Sequence, residues 1–261
     1  MAQGVTPAVA DDPFRALRHR PKRSAVLLDY DGTLAPIVDD PEAAKLLDGA
    51  ADVLGRLARK FALVAVLSGR PVDFLAGRLP PEVLISGLYG LELRRSGQRS
   101  DHPQAGAWRE VVADVVASSD ARGPAGMRVE RKGLSLTLHY RTHPEVAEAV
   151  RKWAEAQAAR SGLVVHPAKM SIELHPPVDA DKGSALIELC RAADVRAAMY
   201  IGDDRGDLPA FSGLERLAAE GVHVVRVAVS GPETPSELTE AADVLVEGTS
   251  GVLELLESLA G

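Results

Sequence analysis

The chain has a single cysteine, Cys190, in 261 residues. An internal disulfide is therefore excluded, as is a zinc site built on thiolates. Cys190 stands among Leu186, Ile187 and Leu189, the setting of a buried helix residue, and a reducing, cytoplasmic environment is the expectation. Aromatic residues make up 4% of the chain against 46% hydrophobic, so its core must be aliphatic. No run of 18 apolar residues occurs, which argues against a membrane-spanning helix. Positive charge is in deficit as well. Thirty Lys and Arg against 37 Asp and Glu give a net charge of −7, which argues against a nucleic-acid-binding surface. Residues 1–10 lack the basic stretch and apolar core of a secretory leader. Residues 14–23 are basic and read as a solvated leader or short helix, so 1–23 is expected to be an N-terminal tail.

What is present has two textures. Over roughly 24–92 and 180–261, continuous apolar runs alternate with helical-period stretches, as in a parallel sheet covered by helices on both faces. Strands are expected at 25–29, 62–67, 83–85, 197–201, 223–229 and 244–246. Helices are expected near 42–60, after Pro71, and near 182–193, 207–220 and 250–260. In the first of these, Leu46, Leu47, Ala50, Val53, Leu54 and Leu57 share a face.

Between roughly 93 and 178 the pattern changes. Leu134, Leu136, Leu138 and Tyr140 alternate with Ser135, Thr137, His139 and Arg141. Met170, Ile172 and Leu174 alternate with Lys169, Ser171, Glu173 and His175. A two-residue period marks antiparallel strands with one buried and one polar face. Helices are expected at 106–118 and 144–160, the second starting at Pro144 and stopping at Ser161-Gly162. Together these give an α+β region: helices behind a four-stranded sheet whose other face is polar. At 261 residues, one large or two moderate domains are expected, since domains usually hold ~100–200.

The chemistry concentrates at strand ends. Asp29-Tyr30-Asp31-Gly32-Thr33-Leu34 follows Ala25-Val26-Leu27-Leu28. Two carboxylates one residue apart at the tip of a buried strand resist joint ionisation, a conflict that a divalent cation resolves. Open α/β sheets also bind ligands at the carboxyl ends of their strands. An Asx-rich turn would account for the hexapeptide taken alone. Ser68-Gly69-Arg70 follows Leu63-Val64-Ala65-Val66-Leu67. Lys182, in Asp181-Lys182-Gly183, opens an amphipathic stretch. Gly202-Asp203-Asp204-Arg205-Gly206-Asp207 follows Ala198-Met199-Tyr200-Ile201. Singly, these read as a serine cap, a solvated lysine and an acidic loop.

In order, the four segments match motifs I to IV of the haloacid-dehalogenase-like hydrolases, and the chain is identified as a member of that superfamily. The resemblance implies an α/β fold: a Rossmann-like parallel-sheet core at 24–92 and 179–261, with a C2-type α+β cap inserted at 93–178. In that arrangement the polar cap face closes over the catalytic pocket. It implies Asp29 as a nucleophile forming an aspartyl-phosphate and Asp31 as general acid and base. Ser68 and Lys182 would bind phosphoryl oxygens, helped by Gly69, Arg70 and the amide of Tyr30. Mg²⁺ would be held by Asp29, the Asp31 carbonyl and Asp203, with Asp207 steadying a bound water.

Within the superfamily, several segments resemble the trehalose-6-phosphate phosphatases. They are Glu130-Arg131-Lys132-Gly133-Leu134-Ser135, His139-Tyr140-Arg141, Lys169-x-x-x-Glu173, Asp181-Lys182-Gly183-Ser184-Ala185-Leu186 and Gly202-Asp203-Asp204-x-x-Asp207-x-x-Ala210-Phe211. That resemblance implies hydrolysis of trehalose 6-phosphate and functional pairing with a trehalose-6-phosphate synthase. His139, Arg141, Lys169 and Glu173 would contact the substrate, though a solvated strand face would also carry such residues. In a strand, Lys169 and Glu173 would lie on the same side. Two departures stand out. Leu208-Pro209 replaces two carboxylates of the family's fourth motif, and His175 stands where arginine is common. Alternatives are a phosphatase of sucrose phosphate, mannosylglycerate phosphate or a hexose phosphate, a phosphosugar mutase, or a non-catalytic sugar-phosphate sensor.

Overall fold

Apolar runs too short for helices form strands buried on both faces, which is why they carry no alternation. The computed structural model describes residues 12–38, 43–168 and 170–261. Its elements begin with α1 (Arg15–His19), β1 (Ser24–Leu28), α2 (Ala50–Lys60), β2 (Leu63–Leu67), α3 (Val72–Ala76) and β3 (Leu84–Gly87). Then come β4 (Glu92–Arg95), β5 (Gln98–Asp101), α4 (Arg109–Arg122), β6 (Arg128–Arg131), β7 (Leu136–His139), α5 (Ala147–Ser161), β8 (Val164–Ala168) and β9 (Ser171–His175). The chain closes with α6 (Lys182–Ala192), β10 (Ala197–Gly202), α7 (Leu208–Ala219), β11 (His223–Ser230), α8 (Ser236–Ala241), β12 (Val244–Glu247) and α9 (Gly248–Ala260). Two compact units result, residues 1–65 with 186–261, and residues 66–185.

In the first unit β12, β11, β10 and β1 are consecutive parallel strands, and β2 lies beside β1. Every residue of β1 and β10 is buried. Helix α2 lays Val53, Leu54 and Leu57 against α9, which contributes Val252, Leu256 and Leu259. Each such side chain, once buried, stabilises the fold by roughly 1.5–3 kcal/mol. The helix expected from about 42 starts only at Ala50. Gly49 precedes it in a left-handed conformation, φ 84°. The Leu47 N–H donates to the Leu34 carbonyl instead, so Leu46 and Leu47 belong to the loop after β1. Cys190 is buried in α6, and burial pushes its thiol up to about 12, so it acts as a packing residue. No described helix is long and apolar enough to cross a membrane.

In the second unit β3, β4 and β5 pair antiparallel. The β4–β5 hairpin has no counterpart in the sequence expectation. Its two-residue turn, Ser96-Gly97, has φ 50° and 79°, the left-handed pair that matches strand twist. The other sheet, in the order β6-β7-β9-β8, is wholly antiparallel. Leu136, Leu138, Ile172 and Leu174 form its apolar face and pack on Val112, Val115 and Val116 of α4 and on Val150 and Ala154 of α5. These are helices behind a four-stranded sheet, as the alternation implied. The strands are shorter than expected, β9 starting at Ser171 because Met170 is left-handed, φ 56°. Lys169 lies outside the described residues.

Candidate active site

β1 and β10 run in register from Ser24 beside Ala197 to Leu28 beside Ile201. The two loops after these strands therefore emerge side by side at the carboxyl edge of the sheet, where such sheets bind ligands. Asp29 comes directly after β1, and Asp203 directly after β10. The Asp29 N–H extends the ladder by donating to the Ile201 carbonyl at 2.9 Å, and the residue is 5% exposed. Beyond it the loop folds back tightly, Leu34 and Ala35 both donating N–H groups to the Tyr30 carbonyl. Gly32 has φ +75°, and a Cβ there would lie 2.0 Å from Oδ2 of Asp203. Only glycine lets this loop press its backbone against the second carboxylate. An ordinary Asx turn would not demand that.

Asp207 is fully buried one turn beyond Asp203. Its Oδ2 accepts the N–H of Asp203 at 2.8 Å and of Asp204 at 3.1 Å, and its Oδ1 accepts the Tyr200 hydroxyl at 2.6 Å. Phe211 meets Tyr200 edge to face, ring centroids 6.3 Å apart, and so steadies that hydroxyl. A Cβ on Gly202 would lie 2.2 Å from Cγ of Asp207, so the carboxylate sits directly on the strand end. Pro209 falls in the first turn of α7, where a missing N–H leaves no helical bond unmade. Leu208-Pro209 thus coexists with a fully formed Asp203–Asp207 frame.

One carboxylate oxygen from each of Asp29, Asp203 and Asp207 can be chosen so that all three lie within 4.8 Å of one another. Like charges this close resist joint ionisation. The donor set is all oxygen, which fits a hard divalent cation such as Mg²⁺ better than zinc. Asp207 already receives three donors and serves as the frame, which makes Asp29 and Asp203 the pair suited to ligation. The Asp31 side chain is outside this convergent group; its residue is half-buried in the loop and bridged to Ala35.

In the second unit Ser68 and Lys182 are 2% and 3% exposed. A lysine buried to that degree normally has a partner or a task. Ser68 follows β2 directly; its N–H donates to the Ser86 carbonyl at 3.0 Å, and its Oγ accepts the Arg70 N–H at 3.2 Å. Gly69 lies against the Tyr89 ring, and the Arg70 guanidinium is 4.5 Å from the Phe74 centroid. Lys182 opens α6, whose start is capped reciprocally. Ser184 N–H donates to Asp181 Oδ1 at 2.7 Å, and Asp181 N–H to Ser184 Oγ at 2.9 Å. A cation at a capped helix start favours an anion.

The polar face of the β6-β7-β9-β8 sheet carries a row of residues paired by register: Glu130, Thr137, Glu173 and His166. Glu173, 6% exposed, accepts the Ser135 hydroxyl at 2.8 Å and the Lys132 ammonium at 3.4 Å. His139 shares a 2.7 Å hydrogen bond with Glu130. Burial alone would raise the Glu130 pKa, but that bond and the charges of Lys132, His139 and Arg70 hold it below the usual carboxylate value. The Thr137 hydroxyl is buried with no hydrogen-bond partner among the described residues. Arg141 lies beyond the end of β7 and is exposed. Sequence reasoning singled out Glu173 and His139 but gave no role to their partners Lys132, Ser135 and Glu130, or to Tyr200 beneath Asp207. The alternation of Glu130 with Val129 was a usable signal. The pairing of Lys132 with Glu173 depends on the fold bringing β6 near β9.

A family model described as trehalose-phosphatase matches residues 27–244. A trehalose-phosphate phosphatase of Mycobacterium avium is 36% identical over 218 residues, 78% of this chain and 54% of that protein. A Mycobacterium tuberculosis protein named as an uncharacterized glycosyl hydrolase is 36% identical over 219 residues, 78% of this chain and 16% of its own length. The chain thus spans about half or less of these curated relatives. Among solved structures, the C-terminal domain of C. albicans trehalose-6-phosphate phosphatase is 25% identical, with a TM-score of 0.72 over 94% of each chain.

Proposed function

The chain belongs to the trehalose-phosphatase family, and from that premise we propose that it hydrolyses trehalose 6-phosphate to trehalose and phosphate through an aspartyl-phosphate on Asp29. The observation that carries this reading is the Asp29–Asp203 pair at adjacent strand ends, closed by Gly32 and framed by Asp207. An Asp29 oxygen attacks phosphorus, and the sugar oxygen leaves with the electrons of the broken P–O bond. Asp31 protonates that oxygen, then takes a proton from the water that attacks the aspartyl-phosphate, and Asp29 is restored. Such acid–base help supplies ~10²–10⁴-fold. Ser68, the Gly69 amide, Arg70 and Lys182 hold the phosphoryl oxygens. Asp29, the Asp31 carbonyl and Asp203 would hold Mg²⁺, which would supply charge neutralisation when bound.

Residues 93–178 are, in this reading, a C2-type cap on a Rossmann-like core of 24–92 and 179–261. It supplies sugar contacts through His139, Arg141, Lys169 and Glu173, joined by Lys132 and the unsatisfied Thr137 hydroxyl. A trehalose-6-phosphate synthase is the functional partner that would furnish the substrate. Phosphate release from trehalose 6-phosphate, sucrose 6-phosphate and glucose 6-phosphate, with and without a chelator, tests the proposal. The highest kcat/KM is expected on trehalose 6-phosphate, with loss of activity in the chelator. A higher value on another sugar phosphate overturns the substrate, and full activity in the chelator overturns the metal.

A further inference from the structure

The groups proposed to hold the phosphoryl oxygens come from two stretches of the second unit, residues 68–70 after β2 and Lys182 at the start of α6. One short segment, residues 88–92, touches both. Leu88 and Tyr89 are successive left-handed residues, φ 48° and 57°. That conformation is unfavourable for bulky side chains and persists only where the surroundings over-determine it. Here it aims two N–H groups at the loop, Leu88 donating to the Arg70 carbonyl and Tyr89 to the Ser68 carbonyl, each at 3.1 Å. The Tyr89 side chain covers Gly69, where a Cβ would lie 2.5 Å from the phenol oxygen.

The same segment reaches α6. A Cβ on Gly90, φ +103°, would lie 3.4 Å from the Ala185 Cβ and 3.6 Å from the Asp181 carbonyl oxygen, so the Gly90 backbone rests on the turn that carries Lys182. Leu88 and Leu91 are buried with Leu134 and Val178. Glu92, fully buried, then accepts the Val72 N–H at 2.8 Å, fixing the start of α3 just past the loop. Its other oxygen takes the Arg99 guanidinium at 2.5 Å, and Arg99 also holds Asp73 at 2.8 Å. Residues 88–90 thus contact the two phosphoryl-holding stretches, Leu91 is buried with Leu88, and Glu92 holds Val72, two residues past Arg70.

We infer that residues 88–92 are a strut that sets Ser68 and Gly69 in position relative to Lys182, with Tyr89 and Glu92 as positioning residues. The inference rests on the proposed phosphoryl role of Ser68 and Lys182. Neither Tyr89 nor Glu92 is among the residues proposed to contact the sugar, so disturbing the strut should weaken phosphate handling whatever the leaving group is. The test uses Tyr89→Gly, which keeps the left-handed backbone at no steric cost, and Glu92→Gln, which keeps an oxygen for Val72. Readouts are kcat/KM on trehalose 6-phosphate and on 4-nitrophenyl phosphate, the inhibition constant of inorganic phosphate, and the unfolding temperature.

Because a misplacement of ~1 Å can slow a reaction by ~10²-fold, kcat/KM should fall about tenfold or more on both substrates alike. The phosphate inhibition constant should rise with it, at temperatures well below unfolding. A purely structural role would lower the unfolding temperature while leaving the inhibition constant unchanged, and that result overturns the inference. A loss confined to trehalose 6-phosphate overturns it too. Should Glu92→Gln fail to fold, Tyr89→Gly decides alone. An inactive wild type would overturn the proposed function and this inference together, whereas an active wild type with unaffected variants overturns the strut only.

Discussion

The two units build their polar groups from the chain in opposite ways. In the first, Asp29, Asp203 and Asp207 come soon after buried parallel strands; the Asp29 N–H bonds to the adjoining strand, and the Asp207 carboxylate takes donors from Tyr200, Asp203 and Asp204, all within seven residues. In the second, the row Glu130, Thr137, Glu173 and His166 is assembled from four strands, and Glu173 is held by Ser135 and Lys132, about forty residues earlier in the chain. Strand ends place reactive groups by local geometry. A sheet face places recognising groups by register. Substitutions at those strand-end carboxylates should therefore stop chemistry or loosen one compact turn, whereas those on the polar face of the four-stranded sheet should discriminate between ligands.

The sharpest test of that contrast is Asp29→Asn. The amide is nearly isosteric but a poor nucleophile, so phosphate release should fall by at least ~10³-fold while the folded structure survives. Steady-state release measured beside circular dichroism checks this, and near-normal turnover by a folded variant would remove Asp29 from the chemistry. Tyr200→Phe comes next. It deletes the hydroxyl that donates to Asp207 at 2.6 Å but keeps the ring against Phe211. A hydrogen bond to a buried charged group is worth ~1.5–3 kcal/mol, and a loss of that size is expected in urea unfolding. A change below about 0.5 kcal/mol would mean that the Asp203–Asp207 turn holds without its tyrosine.

Legibility in the sequence divides along the same line. Ala25-Val26-Leu27-Leu28 and Ala198-Met199-Tyr200-Ile201 are continuous apolar runs because both sheet faces are covered, so the strands and the carboxylates after them can be read together. The α2 start could not be read that way, since Leu46 and Leu47 keep the helical period yet are drawn to the loop after β1 by the Leu47–Leu34 bond. The β4–β5 hairpin was hidden because Glu92–Arg95 and Gln98–Asp101 are largely polar, and the pairing depends on two left-handed turn residues. On the four-stranded sheet, alternation showed which side each residue faces but not which residues meet. Lys132 and Ser135 come together with Glu173 through register, and no local pattern encodes that.

Glu173→Ala sharpens the comparison from the other side. If the polar face recognises sugar, kcat/KM for trehalose 6-phosphate should fall about tenfold, or roughly 1.4 kcal/mol, while a small aryl phosphate is turned over almost unchanged. Glu173→Gln, which still accepts the Ser135 hydroxyl, separates lost charge from lost packing beside Lys132. Equal losses on both substrates would move Glu173 from recognition into the integrity of the unit.

The smallest effect concerns His175, whose ring centroid lies 3.8 Å from that of His166. Burial, and then the charge of His166, hold its imidazole below the ordinary value of 6.5; the opposing pull of Glu173 and of the Pro176 carbonyl is weaker. As pH falls through 6.5, the unfolded chain therefore takes up this proton before the folded one does. Where the unfolded state binds more protons, stability rises with pH, so the contribution is complete above 6.5 and declines as acid is added. Both tryptophans, Trp108 and Trp153, pack on the core behind this sheet, so their fluorescence reports the unfolding of this unit. Urea midpoints at about pH 7.5 and about pH 5 should draw closer together in His175→Gln than in the wild type. An unchanged gap would mean that the acid sensitivity of the sheet arises at other groups, with Glu130 and its bond to His139 the next to examine.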